Sequence, residues 1–157
     1  MSDWERRVAA LWDDASIDDD ARIERMRALA AEAPHPALGA FELGSALDGA
    51  GREAEADVEY AKAAAAIDGL DEERAAHLRI QHASTLRNLD RVDEAIAMLE
   101  AAPAHPRVGA AREAFLALAL HSAGREAEAL RVAIEALIPT MPLYRRALAE
   151  YAAELTD

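Results

Sequence analysis

Five histidines, thirty Asp and Glu residues and no cysteine bound the chemistry open to this 157-residue chain. Without cysteine there is no disulfide framework, no thiol nucleophile and no thiolate zinc site. His77 and His82 stand five apart, off a shared helical face, and no His-Glu-x-x-His pair occurs. His35 and His105 each precede a proline, which assigns them to turns ahead of helices. Asp18-Asp19-Asp20 lacks the glycine and spacing of a calcium loop and reads as a helix cap in a solvated acidic turn. Ser45, Ser84 and Ser122 have no G-x-S-x-G elbow, and Gly49-Ala50-Gly51 lacks the remainder of a phosphate loop. Catalysis would require Asp48, His77 and His121 to share a groove, an arrangement no motif supports. The chain therefore reads as non-enzymatic, with no metal and no cofactor. One polar group stands out: Gln81 and Asn88, the only Gln and Asn, with Ser84 and Arg87 between them. Amide and guanidinium groups so placed can hydrogen-bond a peptide backbone or a carboxylate.

Helices must position that group. Hydrophobic residues make up 52% of the chain, but 41 of them are alanine, the best helix former and a poor strand former. Six prolines fall in three places, Pro34/Pro36, Pro103/Pro106 and Pro139/Pro142, and mark hard helix boundaries. Weaker breaks at Gly49–Gly51, Gly69, Asn88–Asp90 and Gly124 complete a division into helices over 3–15, 18–33, 36–49, 53–67, 71–88, 92–102, 106–123, 126–138 and 142–155. Ser16 and Asp18 are expected to cap the second helix, and Asp71-Glu72-Glu73 places negative charge on the first turn of the fifth.

The breaks repeat. Gly51-Arg52-Glu53-Ala54-Glu55-Ala56 recurs letter for letter at Gly124–Ala129, and Asp90-Arg91-Val92-Asp93-Glu94-Ala95 is a looser copy between them. Each copy falls at a turn between two predicted helices. The unit is a helix–turn–helix of about 34 residues, once lengthened by about five.

With Leu43-Gly44, Leu47, Gly51, Ala56, Tyr60 and Ala63 in the first unit, the pattern resembles the tetratricopeptide repeat (TPR). The second unit offers Ala83, Leu86, Ala95, Leu99 and Ala102, with His82 and Asp90 where leucine and glycine are usual. Leu116-Ala117, Leu120, Gly124, Ala129, Ala133 and Ala136 follow in the third. The whole chain is also similar to short bacterial, actinobacterial members of that family, by the stretch Ala83-Ser84-Thr85-Leu86-Arg87-Asn88.

The resemblance implies an all-α, right-handed solenoid over 1–157. An N-terminal helical pair would occupy 1–35, repeats 36–70, 71–105 and 106–141, and a capping helix 142–157. Trp4, Val8, Leu11 and Trp12 supply the first apolar face, and Leu143, Ala147, Leu148, Tyr151 and Leu155 the last. A concave groove would hold a peptide or a helix. The family's inward positions carry over to Phe41, Ser45 and Asp48, then His77, Gln81, Ser84, Arg87 and Asn88, and then Ala114, Leu118, His121 and Ser122. His82, at a core position, is expected packed and neutral. Phe41 and Ser45 stand where chaperone-tail binders carry lysine and asparagine, which argues against that ligand class.

Seventeen basic against thirty acidic residues give a net charge of −13, which disfavours nucleic acid and anionic membrane surfaces. No apolar run approaches a membrane span, and Met1–Glu5 lacks the basic, apolar start of a secretory signal. The expectation is a cytoplasmic protein with an unknown protein or peptide partner. The alternative is a self-associating scaffold, its groove filled by the last helix or by a second copy, as in a homodimer.

Overall fold

The computed structural model describes residues 1–157 as nine α-helices with no strand. They are α1 (Asp3–Asp13), α2 (Asp19–Ala31), α3 (Pro36–Gly49), α4 (Glu53–Ala65), α5 (Glu72–Asn88), α6 (Val92–Ala101), α7 (Ala111–Ser122), α8 (Glu126–Leu137) and α9 (Arg145–Glu154). Single 3-10 turns at Ile67–Gly69 and Ile138–Thr140 follow α4 and α8. Each helix packs on the next in sequence, and α5 also packs on α3 and α7. This is the helical-repeat solenoid that the turn copies imply.

The three copied hexamers build one and the same turn. Gly51, Asp90 and Gly124 take φ of +72°, +60° and +73°. Behind them the amides of Arg52, Arg91 and Arg125 donate to the carbonyls of Leu47, Leu86 and Leu120, each at 2.9 Å. The paired bond from Gly51 to Asp48, Asp90 to Arg87 and Gly124 to His121 completes a Schellman cap at every turn. The arginine then starts the next helix and forks onto the glutamate three residues on. Arg52–Glu55, Arg91–Glu94 and Arg125–Glu128 close at 2.6–2.8 Å. These exposed pairs contribute little energy each, but they repeat the geometry.

Small residues set the helix spacing. A Cβ at Gly39 would lie 2.5 Å from the Ala30 carbonyl oxygen, so α3 meets the backbone of α2 there. A Cβ at Gly44 would lie 2.7 Å from the ring of Tyr60, which is fully buried against α3. Ala56, Ala63, Ala83 and Ala95 are also fully buried. Two apolar cores meet at α5. One gathers Trp4, Met26, Leu47, Tyr60 and Leu78, and the other Ile80, Leu86, Leu99, Leu120 and Ala129.

Two helix starts differ clearly from the sequence reading. The seventh helix starts at Ala111 instead of Pro106, because Pro106–Ala110 forms turns in which Gly109 takes φ +54°. The last helix starts at Arg145 instead of Pro142, behind Tyr144 at φ +68°. Leu143 therefore lies outside α9, and Leu143 and Tyr151 are 64% and 63% exposed. The burial of α9 rests on Ala152, with Ala147, Leu148 and Leu155 half-buried. Asp18 caps α2 as expected, whereas Ser16 donates to Asp14 instead. The extra five residues of the middle unit sit in α5, which has 17 residues against 12 in α7.

Candidate functional site

The first helices of successive units, α3, α5 and α7, lie side by side, and polar side chains stitch them. Asp71 caps α5, accepting from the Arg74 amide at 2.7 Å, and thereby fixes where its polar face begins. Between α3 and α5, Ser45 Oγ lies 2.9 Å from the Phe41 carbonyl oxygen and 3.3 Å from Gln81 Oε1. Thr85 Oγ1 lies 3.1 Å from Asp48 Oδ1 and 3.0 Å from the Gln81 carbonyl oxygen, and the Tyr60 hydroxyl approaches Asp48 Oδ2 at 3.5 Å. Burial pushes the Asp48 carboxyl above its ordinary range, against the pull of Thr85, while Glu53 nearby adds to the rise. Burial also raises the Tyr60 hydroxyl, so it stays a donor.

Between α5 and α7, Arg87 Nε donates to Ser122 Oγ at 3.0 Å, and that hydroxyl donates to the Leu118 carbonyl at 3.1 Å. Arg87 also reaches Asn88 Oδ1 at 3.4 Å. Ser45, Asp48, Gln81, Arg87, Asn88 and Ser122 thus join two seams on one helix layer. Phe41 is buried in the first core and offers the seam its carbonyl. His77 and Ser84 are half-buried on α5, and Ala114, Leu118 and His121 are exposed on α7, none of them with a side-chain hydrogen bond. Asp48, His77 and His121 share no hydrogen bond, and Asp48 is taken up by Thr85 and Tyr60. No three His, Asp or Glu side chains gather in a way that could hold a metal ion. No helix is long and apolar enough to cross a membrane.

Several polar contacts escape sequence reasoning because their partners come from distant elements. His82 is buried as expected, but its Nε2 lies 2.7 Å from Asp57 Oδ1, and Asp57 Oδ2 also accepts from Arg91 at 2.6 Å. At the N-terminal end, Trp4 is core and donates to the Leu29 carbonyl at 2.7 Å. Trp12 is instead 38% exposed and donates to Glu42 at 2.8 Å, its ring beside the Arg22 guanidinium. Burial raises the Glu42 carboxyl, opposed by the Trp12 bond and the charge of Arg74. Glu5 accepts from Ser2 in a capping box and from Arg74 at 3.1 Å, which ties α1 to α5. His35 and His105 serve their turns, accepting from the amides of Ala37 and Arg107.

The roomiest clefts lie away from the seams. One of about 600 Å³ runs between α7 and α8, past Arg112, Leu116, Val132 and Pro139, and another of about 550 Å³ lies between Leu70 and Pro103. A family model described as tetratrico peptide repeat matches residues 37–155. Comparison with curated proteins and with solved structures finds no match.

Proposed function

This chain belongs to the tetratricopeptide repeat family, and from that premise we propose that it is one non-enzymatic, cytoplasmic repeat domain over 1–157 that binds a peptide or a helix along α3, α5 and α7. Family membership points to a protein–protein interaction module, and the observation favouring this face is the free capacity of its α5 side chains. Arg87 donates from Nε to Ser122, which leaves most of its guanidinium donors to an incoming acceptor. Asn88 is exposed and engages only Arg87. Ser84 is uncommitted one turn before them, His77 is uncommitted towards the start of the same helix, and Leu118 adds an apolar contact at 47% exposure. Bonds to its neighbours hold Arg87 in place before a ligand arrives, which lowers the ordering cost of binding.

The test is selection from a displayed random-peptide library on the immobilised chain. Enriched peptides should lose at least about tenfold in affinity on Arg87→Ala with Asn88→Ala, a hot-spot-sized effect, while circular dichroism stays helical. Peptides that bind the double variant equally well would place recognition elsewhere.

A further inference from the structure

The C-terminal helix α9 differs from most of the other helices in how its charge is placed. Helices α1, α2 and α4–α8 each carry an acidic residue in the first turn, where the helix dipole favours it. α9 has none; its first turn holds Arg145 and Arg146, and its end holds Glu154. Its N-cap, Tyr144, sits in the left-handed region without a side-chain cap. Charge thus runs against the dipole, and Arg146, 93% exposed, meets only Glu150 of its own helix.

Apolar surface is concentrated at the same end. Six of the nine exposed large apolar residues lie between Leu118 and Tyr151. Tyr144, 77% exposed, stands just before α9, and on the helix Tyr151, 63% exposed, lies one turn beyond the half-buried Ala147. The helix packs on α8, with Ala152 buried and Leu148 half-buried. Net charge is distributed to match. Residues 106–157 hold six basic and seven acidic side chains, against eleven and twenty-three in 1–105.

We propose that this face of α9 docks on α9 of a second copy, antiparallel about a two-fold axis. A helix that is basic at its start and acidic at its end is its own complement when inverted, as an isologous interface requires. Inversion sets Tyr151 of each copy over the small Ala147 of the other. It also brings each Arg146 level with the Glu150–Glu154 segment opposite. The near-neutral C-terminal third is where two copies of a strongly acidic chain meet with least repulsion. This pairing leaves α3, α5 and α7 uncovered, so it stands apart from the peptide-binding reading.

Sedimentation equilibrium of the full chain tests it. The wild type should show a monomer–dimer equilibrium, and Tyr151→Glu and Arg146→Glu should each weaken it by at least about tenfold, with Arg146→Glu plus Glu150→Arg recovering most of the loss. Arg146 is too exposed for its replacement to unfold the chain, and circular dichroism checks Tyr151→Glu. A monomer at all concentrations would overturn the pairing, as would a dimer indifferent to both single variants. Failure of the double charge swap to restore association would overturn the antiparallel arrangement.

Discussion

At position 90 an aspartate adopts φ +60°, where the other two turns use glycine at +72° and +73°. Its carboxylate accepts no hydrogen bond there, so the left-handed backbone is uncompensated. Asp90→Gly should raise stability by about 1 kcal/mol in urea unfolding, and Gly51→Ala should lower it by about as much. A second residue-scale test concerns Glu42, whose raised pKa means the folded state takes up a proton before the unfolded chain does. The ionised carboxylate therefore costs stability at neutral pH, and the cost is relieved as pH falls through the folded value. Glu42→Gln keeps an acceptor for Trp12 and should be more stable than wild type at neutral pH, with the gain shrinking in mild acid. Glu5 behaves oppositely. Its bonds to Ser2 and Arg74 lower its pKa, so its contribution holds at neutral pH and fades as acid protonates it. At this scale the sequence showed which side chains are unusual, Gln81, Asn88 and His82 among them. It did not show whom they meet, because Gln81–Ser45 and His82–Asp57 span 36 and 25 residues. Thr85 was missed for the same reason: nothing local marks a buried threonine as the partner of Asp48.

Among elements, prolines and glycines located most of the helix boundaries, since each imposes a backbone constraint that reads without knowledge of the fold. The α1–α2 and α5–α6 breaks rest on Ser16, Asp18 and Asn88–Asp90. Proline was misleading at α7, where Pro106 suits a first helical turn but Gly109 three residues later turns the chain left-handed. Periodicity misled at α9, whose apolar residues divide between a packed side and an exposed one. A close helix approach, α2 on α3, rests on Gly39 facing the Ala30 carbonyl at 2.5 Å from any added Cβ. Backbone cannot yield as a flexible side chain does. Gly39→Ala should cost about 1–3 kcal/mol in thermal or urea unfolding, despite alanine's better helix propensity. Asp71→Ala, which removes the cap of α5, should cost about 1 kcal/mol.

Over the whole molecule, packing thins from one end to the other. Of 32 buried residues, only Ala119, Leu120, Ala129 and Ala152 lie beyond residue 105. Stability in a repeat array is a sum of local and neighbour contributions, so the ends open by different amounts. Hydrogen exchange read by mass spectrometry should show protection greatest in α3–α5 and least in α8 and α9; uniform protection would mean the array unfolds as one unit. The two seams on the first-helix layer follow the same gradient. Asp48–Thr85 is anchored by a fully buried threonine, whereas Arg87–Ser122 lies exposed. The superhelix is accordingly a spring of unequal stiffness, with a rigid N-terminal coil and a compliant C-terminal end. Pulled from its ends, it would peel at α8 and α9 while the N-terminal coil still holds.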